Sequence, residues 1–244
     1  MKKGFMLMLM CVAIISFSAC SEDEEISFSI NKRHYTLKPN KTTNIDGVGL
    51  SNISWKSSNE FVATAVDGEI KSEYVGNCTL LYEHEHFVLT VSVEPQYTLY
   101  TEPKLSWGAS LSKIKAENGT PYYVSSNLLI YKSGNSVAPY NVYYFESGCL
   151  SSVGVIVNMN YYQQLVNFLT ERYMVTSLNY SNIIATFAHM CGKKSQPQID
   201  YVVGLGYEST FNGILVGYSQ SSSTKSVSSN NEFNDMLKCL ENLD

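Results

Sequence analysis

Charge is scarce in this chain. Asp, Glu, Lys and Arg make up 16% of its 244 residues, well below the quarter usual in globular proteins. The formal net charge is −5, and roughly −7 once Lys2 and Lys3 are set aside. That balance argues against an electrostatic grip on nucleic acid or anionic lipid. No Cys-x-x-Cys pair occurs among the six cysteines, so a zinc knot or a thioredoxin-like redox centre has no sequence support. Gly204-Leu205-Gly206 lacks the third glycine and the following helix of a dinucleotide loop. Carboxylates are sparse and fall mostly in turns or helices, which gives no paired-acid signature. Beyond residue 20 no apolar run is long enough to cross a bilayer. Neither a cofactor nor a metal is expected.

What the chain does have begins at its amino terminus. Lys2 and Lys3 precede an apolar run from Phe5 to Phe17, the form of a secretory signal too short for a permanent span. Its small residues Ser18 and Ala19 end on Cys20. Ordinary signal cleavage needs only small residues, whereas lipoprotein processing needs a thiol to carry diacylglycerol. We therefore expect residues 1–19 to be removed and Cys20 to be the lipid attachment site, with the bilayer as partner. A plain secretory signal followed by a chance cysteine is the alternative. Ser21 to Glu25 then supply four carboxylates without a basic partner, so residues 20–25 read as a solvated tether. This tract resembles the acidic export tag of surface-exposed lipoproteins of Bacteroidota. The resemblance implies an outer-membrane protein displayed on the cell surface; a periplasm-facing protein is the alternative.

Residues 26–95 break into short β-branched and aromatic runs separated by turn residues, the pattern of an antiparallel sandwich. Expected strands are Ile26–Ile30, Tyr35–Leu37, Thr42–Ile45, Ile53–Lys56, Val62–Val66, Glu69–Ser72, Cys78–Tyr82 and Phe87–Val93. Lys38-Pro39-Asn40, Asp46-Gly47, Ser57-Ser58-Asn59, Asp67-Gly68 and Val75-Gly76-Asn77 have turn chemistry. Asp67-Gly68 predicts a tight hairpin joining Val66 to the strand of Ile70. Ile53-Ser54-Trp55-Lys56-Ser57-Ser58-Asn59, Val62-Ala63-Thr64, Asp67-Gly68-Glu69-Ile70, Val75-Gly76 and Leu89-Thr90-Val91-Ser92-Val93, in that order, resemble the group 2 bacterial immunoglobulin-like domain. The resemblance implies a two-sheet sandwich with Trp55 between the sheets, serving as a surface spacer or adhesion module. Lys38-Pro39-Asn40 replaces a glycine usual in that family. His84-Glu85-His86 sets two imidazoles on one face of a strand but offers no third metal ligand; an exposed polar hairpin end is the simpler reading.

Past Pro95 helices alternate with strands, which marks residues 97–244 as a separate α+β domain with an antiparallel sheet. Ser110 predicts the cap of a two-turn helix carrying Leu111 and Ile114 and stopped by Gly119, with Pro121 beyond. Strands follow at Tyr122–Val124, Leu128–Tyr131, Asn141–Phe145 and Leu150–Val157, with Glu146-Ser147-Gly148 as a hairpin turn. A second helix, Tyr161–Tyr173, precedes Met174–Ser177, Ile183–Phe187, Tyr201–Leu205 and Gly213–Tyr218. Both halves thus read as a helix and then four strands. Asn127–Ile130 aligns with Asn182–Ala185, and Val153–Val157 with Ile214–Tyr218, the extra residues falling in a Cys191–Gln198 loop. Such a tandem predicts one long antiparallel sheet with helices on one face. A serine-rich stretch, Ser219–Asn230, leads to a last amphipathic helix carrying Phe233, Met236, Leu237, Leu240 and Leu243, expected to cap the sheet. Gly108-x-Ser110, Ile114, Gly119 and Pro121 are similar to the helix start of small accessory lipoproteins of outer-membrane barrel assembly. Residues 103–173 resemble uncharacterised carboxy-terminal domains of Bacteroidota lipoproteins, which imply no activity.

Four cysteines, Cys78, Cys149, Cys191 and Cys239, remain after Cys11 and Cys20; export permits disulfides, and small buried thiols fit equally well. His189 precedes Cys191 by two, yet no triad or oxyanion signature accompanies the pair, so no catalytic residue is expected. Tyrosine is the abundant chemical group: fifteen of eighteen lie beyond residue 96. On strands, the doublets Tyr122-Tyr123 and Tyr143-Tyr144 should each turn one ring away from the core, as stacking surfaces for a glycan or protein; ordinary strand usage of tyrosine is the simpler account. A non-catalytic binding or adhesion role follows, ahead of a periplasmic assembly or inhibitor role and of an enzyme.

Overall fold

The computed structural model describes residues 28–51, 53–82, 87–179, 184–221, 231–241 and 243. Cys20, the acidic tract, His84-Glu85-His86 and most of the serine-rich stretch lie outside them. The chain is mostly β-sheet, in several antiparallel sheets.

Nine short strands come first: β1 (Ser29–Ile30), β2 (His34–Leu37), β3 (Thr42–Asn44), β4 (Gly47–Val48), β5 (Trp55–Ser57), β6 (Ala63–Val66), β7 (Glu69–Ser72), β8 (Gly76–Tyr82) and β9 (Val88–Val93). They form a four-stranded sheet in the order β2-β9-β8-β5, a three-stranded sheet β3-β7-β6 and the pair β1-β4. β2 runs parallel to β9 and the other pairings are antiparallel. Alternation sets the inner face: Leu89, Val91 and Val93 are buried while Val88 and Thr90 are exposed. These side chains meet Tyr35, Leu37, Trp55, Ala63, Ala65, Ile70 and Leu80 in one core. Asp67 (φ 50°) and Gly68 (φ 79°) both occupy positive φ, as the two-residue turn between Val66 and Glu69 requires. Ser72, fully buried, donates to the carbonyls of Lys38 and Lys41 and accepts from Lys41 N–H, which fixes the Lys38-Pro39-Asn40 turn. Gly47 departs from expectation. It pairs as strand with Ile30, so close to Ser29 that an added Cβ would stand 2.2 Å from the Ser29 carbonyl oxygen.

The remainder builds one eight-stranded antiparallel sheet. Helix α1 (Leu111–Asn118) precedes β10 (Tyr123–Val124), β11 (Leu128–Lys132), β12 (Tyr140–Glu146) and β13 (Cys149–Asn158). A single 3-10 turn leads into α2 (Tyr162–Thr170), followed by β14 (Met174–Asn179), β15 (Ile184–Lys193), β16 (Gln196–Glu208) and β17 (Gly213–Gln220). The strand order is β10-β11-β12-β13-β17-β16-β15-β14, so β13 and β17 run antiparallel at the centre, with the strands that precede α2 on one side and those that follow it on the other. The Ser110 side chain accepts from Lys113 N–H at α1, and Gly119 (φ 77°) returns its N–H to the Lys115 carbonyl.

Helices cover both faces, not one. Leu165, Phe168 and Leu169 of α2 pack on Val155, Val157, Val203, Leu205 and Val216, and Ile114 of α1 lies on the same face against the cluster of Leu129, Tyr143 and Val153. Helix α3 (Asn231–Glu241) lays Phe233, Met236 and Leu240 on Leu128, Ile130, Val142, Ile156 and Leu215 of the opposite face. The physical reason is that β11, β13 and β17 are apolar on both sides, a run that one layer of helices cannot cover. Gly204, Gly206 and Gly217 provide the seat for α3. An added Cβ would lie 2.9, 3.0 and 2.5 Å from the Phe233 ring, respectively.

The alignment of the two halves needs one more correction. Ile130 faces α3 whereas Ala185 faces α2, so matching Asn127–Ile130 with Asn182–Ala185 is out by an odd number of residues; Val153–Val157 and Ile214–Tyr218 do share a face. The expected Cys191–Gln198 loop is strand as well. β15 and β16 continue as a hairpin whose tip reaches the first sheets: Glu60 N–H donates to the Gly192 carbonyl (2.9 Å), Lys194 N–H donates to the Glu60 carboxylate (2.8 Å), and Lys194 pairs with Glu73. Phe61 packs on Ala188 and Met190 beneath this arm.

Candidate binding surface

One exposed and two half-exposed aromatic rings gather at the rim of the long sheet beside the last turn of α3. Tyr122 is 57% exposed. It follows Pro121, and its N–H donates to the Ile130 carbonyl at 2.7 Å, which holds it just ahead of β10. Lys132, at the end of β11, pairs with Tyr140 at the start of β12 and places its ammonium 4.6 Å above the Tyr122 ring. Tyr122 and Tyr140 have ring centroids 5.7 Å apart, and Tyr140 and Phe211 4.5 Å apart. Three rings and one ammonium therefore form a continuous ledge. Phe211 sits in the β16–β17 turn, which the fully buried Glu208 organises by accepting from the N–H groups of Thr210 (2.9 Å) and Phe211 (2.7 Å). Thr210 donates its hydroxyl to the Leu240 carbonyl, tying the turn to α3. A half-exposed run of rings offers faces on which a sugar or another ring stacks, with Lys132 as a hydrogen-bond donor at one end.

The four tyrosines expected to bind do not share this surface. Tyr122 belongs to it. Tyr123 and Tyr144 are half-buried and pack against the α3 cluster. Tyr143 is 5% exposed; it lies under α1, meets Tyr131 edge-on at 5.7 Å and donates to Asn118 Oδ1 at 3.3 Å, and its burial pushes the phenol pKa up. The alternation rule turned the two rings of the β12 doublet to opposite faces correctly, but α3 makes the second face a core. Tyr140 and Phe211 went unnoticed in the sequence. The available signal was a ring directly after Pro139 and another inside a polar Ser-Thr-Phe-Asn turn.

A polar groove of about 460 Å³ opens on the outer side of the β2-β9-β8 sheet, lined by Thr36, Thr79, Thr90, Ser92 and Asn77 with His34, whose Nδ1 is 2.5 Å from Thr90 Oγ1. Its hydroxyls can hydrogen-bond, and the rings that border it, His34 and the buried Tyr35, form no exposed aromatic run.

His189 and Cys191 are engaged separately. The His189 ring stacks on Tyr201 at 4.7 Å, with Nδ1 3.3 Å from the Asp200 carboxylate, an ion-pair distance without hydrogen-bond alignment. The Cys191 thiol points to the Gln198 carbonyl at 3.7 Å, and burial, with the Asp200 charge, raises its pKa away from the thiolate a nucleophile needs. Cys78, Cys149, Cys191 and Cys239 are all free thiols. Among the described residues no group of three His, Cys, Asp or Glu side chains is placed to hold a metal, and no helix is long and apolar enough to cross a membrane.

Between the two sheet systems lies a buried polar joint. Glu171 follows α2 and accepts from the N–H groups of Gln96 (2.9 Å) and Tyr97 (3.1 Å) and from Arg172 Nη1 (2.5 Å), while its carbonyl accepts from Val75 N–H (2.9 Å). Arg172 also donates to the carbonyls of Phe168 and Tyr97, lies 3.7 Å over the Phe168 ring and stands 3.5 Å from Glu102. Tyr173 donates to Glu102, Tyr201 to Tyr173, and the hydroxyls of Tyr100 and Tyr218 meet at 2.8 Å. Burial drives the pKa of Tyr201 up to about 12, those of Tyr100 and Tyr173 higher still, and that of Tyr218 well above its ordinary value. No protein-family model matches the chain, and no curated protein matches it.

Proposed function

We propose that this chain is a surface lipoprotein that binds a glycan without chemistry, the ledge of Tyr122, Tyr140, Phe211 and Lys132 being the contact surface. The observation that carries the reading is that run of partly exposed rings, fixed from below by Glu208 and α3. Sugar rings present apolar C–H faces that stack on aromatic faces, and their hydroxyls accept from an ammonium. In this reading Cys20 carries the lipid in the outer membrane, residues 26–95 are an immunoglobulin-like spacer and residues 97–244 are the binding domain, built as a duplicated helix-plus-four-strand unit. Two sheets around one core, the parallel β2–β9 pair and the 8% exposure of Trp55 support the immunoglobulin-like assignment; the element order about the β13–β17 centre supports the duplication.

Two experiments test it. Labelled chain on a glycan array should give retention that falls when Tyr122 and Tyr140 are both replaced by alanine; unchanged retention, or none to begin with, rejects the ledge. Protease shaving of intact cells should remove the chain, and survival of the chain would place it on the periplasmic side.

A further inference from the structure

We propose that β14, the outermost strand of the eight-stranded sheet, is a self-pairing edge through which two copies of this chain join. Its sequence, Met-Val-Thr-Ser-Leu-Asn, holds no charge and no proline, two of the devices by which exposed edges are kept from pairing. Val175 is 41% exposed and Leu178 52%. The pairing with β15 explains why they are neighbours in space. Val175 lies opposite Phe187 and Leu178 opposite Ala185, with a bulge at Thr176 between them, so both side chains stand on the face of α2. Residues three apart on a regular strand point to opposite faces. The extra residue puts this pair on one.

That displacement makes the edge complementary to itself. An antiparallel pairing of β14 with a second β14, about a two-fold axis between Thr176 and Ser177, sets Val175 directly across from Leu178 of the other copy, twice. Directly opposed residues of an antiparallel pair project to the same face, which a regular strand could not satisfy at this register and the bulged strand does. The contact is the same patch on both copies and closes on itself. The opposite edge of the sheet, β10, has two residues and follows Pro121, too short to continue a head-to-tail ribbon. One strand pair buries less than the roughly 1,000 Å² of a durable interface, so the association is weak and a trapping measurement suits it.

Two full-length versions with tags of different size, one carrying Val175→Cys and the other Leu178→Cys, should be co-expressed and the membranes treated with a mild oxidant. The expected result is a mixed disulfide dimer several-fold above the background of the native thiols, and no such gain for Val175→Cys co-expressed with itself, whose two thiols stand about 10 Å apart along the strands at about 3.3 Å per residue. A mixed band no stronger than that of the unsubstituted pair overturns the proposal. So does equal cross-linking of Val175→Cys with itself, which would report random collision and not this register.

Discussion

Adjacent in sequence, Glu171 and Arg172 turn their charged groups onto each other, Nη1 2.5 Å from Oε1, and both are less than a tenth exposed. Neither is there to balance the other alone. The carboxylate also holds two N–H groups of the segment leaving the first sheets, and the guanidinium holds a carbonyl of the same segment.

Glu171→Ala leaves a buried guanidinium with the Glu102 carboxylate, at 3.5 Å from Nε, as its remaining counter-charge and uncovers two N–H groups. Breaking one side of a buried ion pair costs about 3–5 kcal/mol. Urea denaturation should show a loss of that order, and a loss within about 0.5 kcal/mol, the range of ordinary surface substitutions, would mean that the joint is not closed in solution.

The buried tyrosines set the alkaline limit. Their folded pKa values lie above the ordinary value of 10, with Tyr201 at about 12, so below pH 10 both states keep the protons and stability is unaffected. Above pH 10 the unfolded chain releases protons that the native chain retains, and stability falls by about 1.4 kcal/mol per pH unit for each such tyrosine until its own folded pKa is passed. Denaturation midpoints between pH 8 and 12 should be flat and then drop steeply. Tyr201→Phe should make that drop shallower; an unchanged slope would show that the Tyr201 phenol is solvated.

Gly217→Ala tests the seat of α3. Its Cβ would meet Phe233 at 2.5 Å and Met236 at 2.8 Å, and forced overpacking of this kind costs about 1–3 kcal/mol. Hydrogen exchange along α3 should accelerate. In a Phe233→Ala background the same substitution should cost less, and equal costs in both backgrounds would show that the two groups do not touch.

Tyr122 and Tyr143 should separate binding from stability. Tyr122→Ala removes an exposed ring and should change stability by no more than about 0.5 kcal/mol while weakening glycan retention. Tyr143→Ala empties a packed site under α1 and should cost about 3–5 kcal/mol. Thermal melts paired with glycan retention decide it, and the opposite ranking of the two melts would misplace both rings.

Local chemistry was legible in the sequence and layering was not. Asp67-Gly68, Glu146-Ser147-Gly148, the Ser110 cap and the Gly119 stop each work within a few residues, and each stands where expected. The helix-then-four-strands order was legible too, because strands and helices differ in period. The Cys191–Gln198 hairpin was missed because Gly192, two lysines and Pro197 resemble a loop, and what keeps them extended is docking on Glu60 and Glu73, far away in sequence. The partner of Gly204-Leu205-Gly206 is likewise a ring some thirty residues on, Phe233. Of the ledge, only Tyr122 was foreseen, since α3 decides which rings remain exposed. Cys20, the expected lipid attachment site, and His84-Glu85-His86 lie outside the described residues.

The β15–β16 arm and the Glu171 joint clamp the chain between the two sheet systems from separate directions: one through Glu60 and Glu73, one through Val75, Gln96 and Tyr97. A connection held at that many points cannot swivel as a hinge. It acts as a splint, so the direction in which the aromatic ledge looks out is fixed by the attitude of the first sheets. A tug on the ledge is passed along the molecule as bending of a single beam, and is not dissipated in a slack coupling halfway.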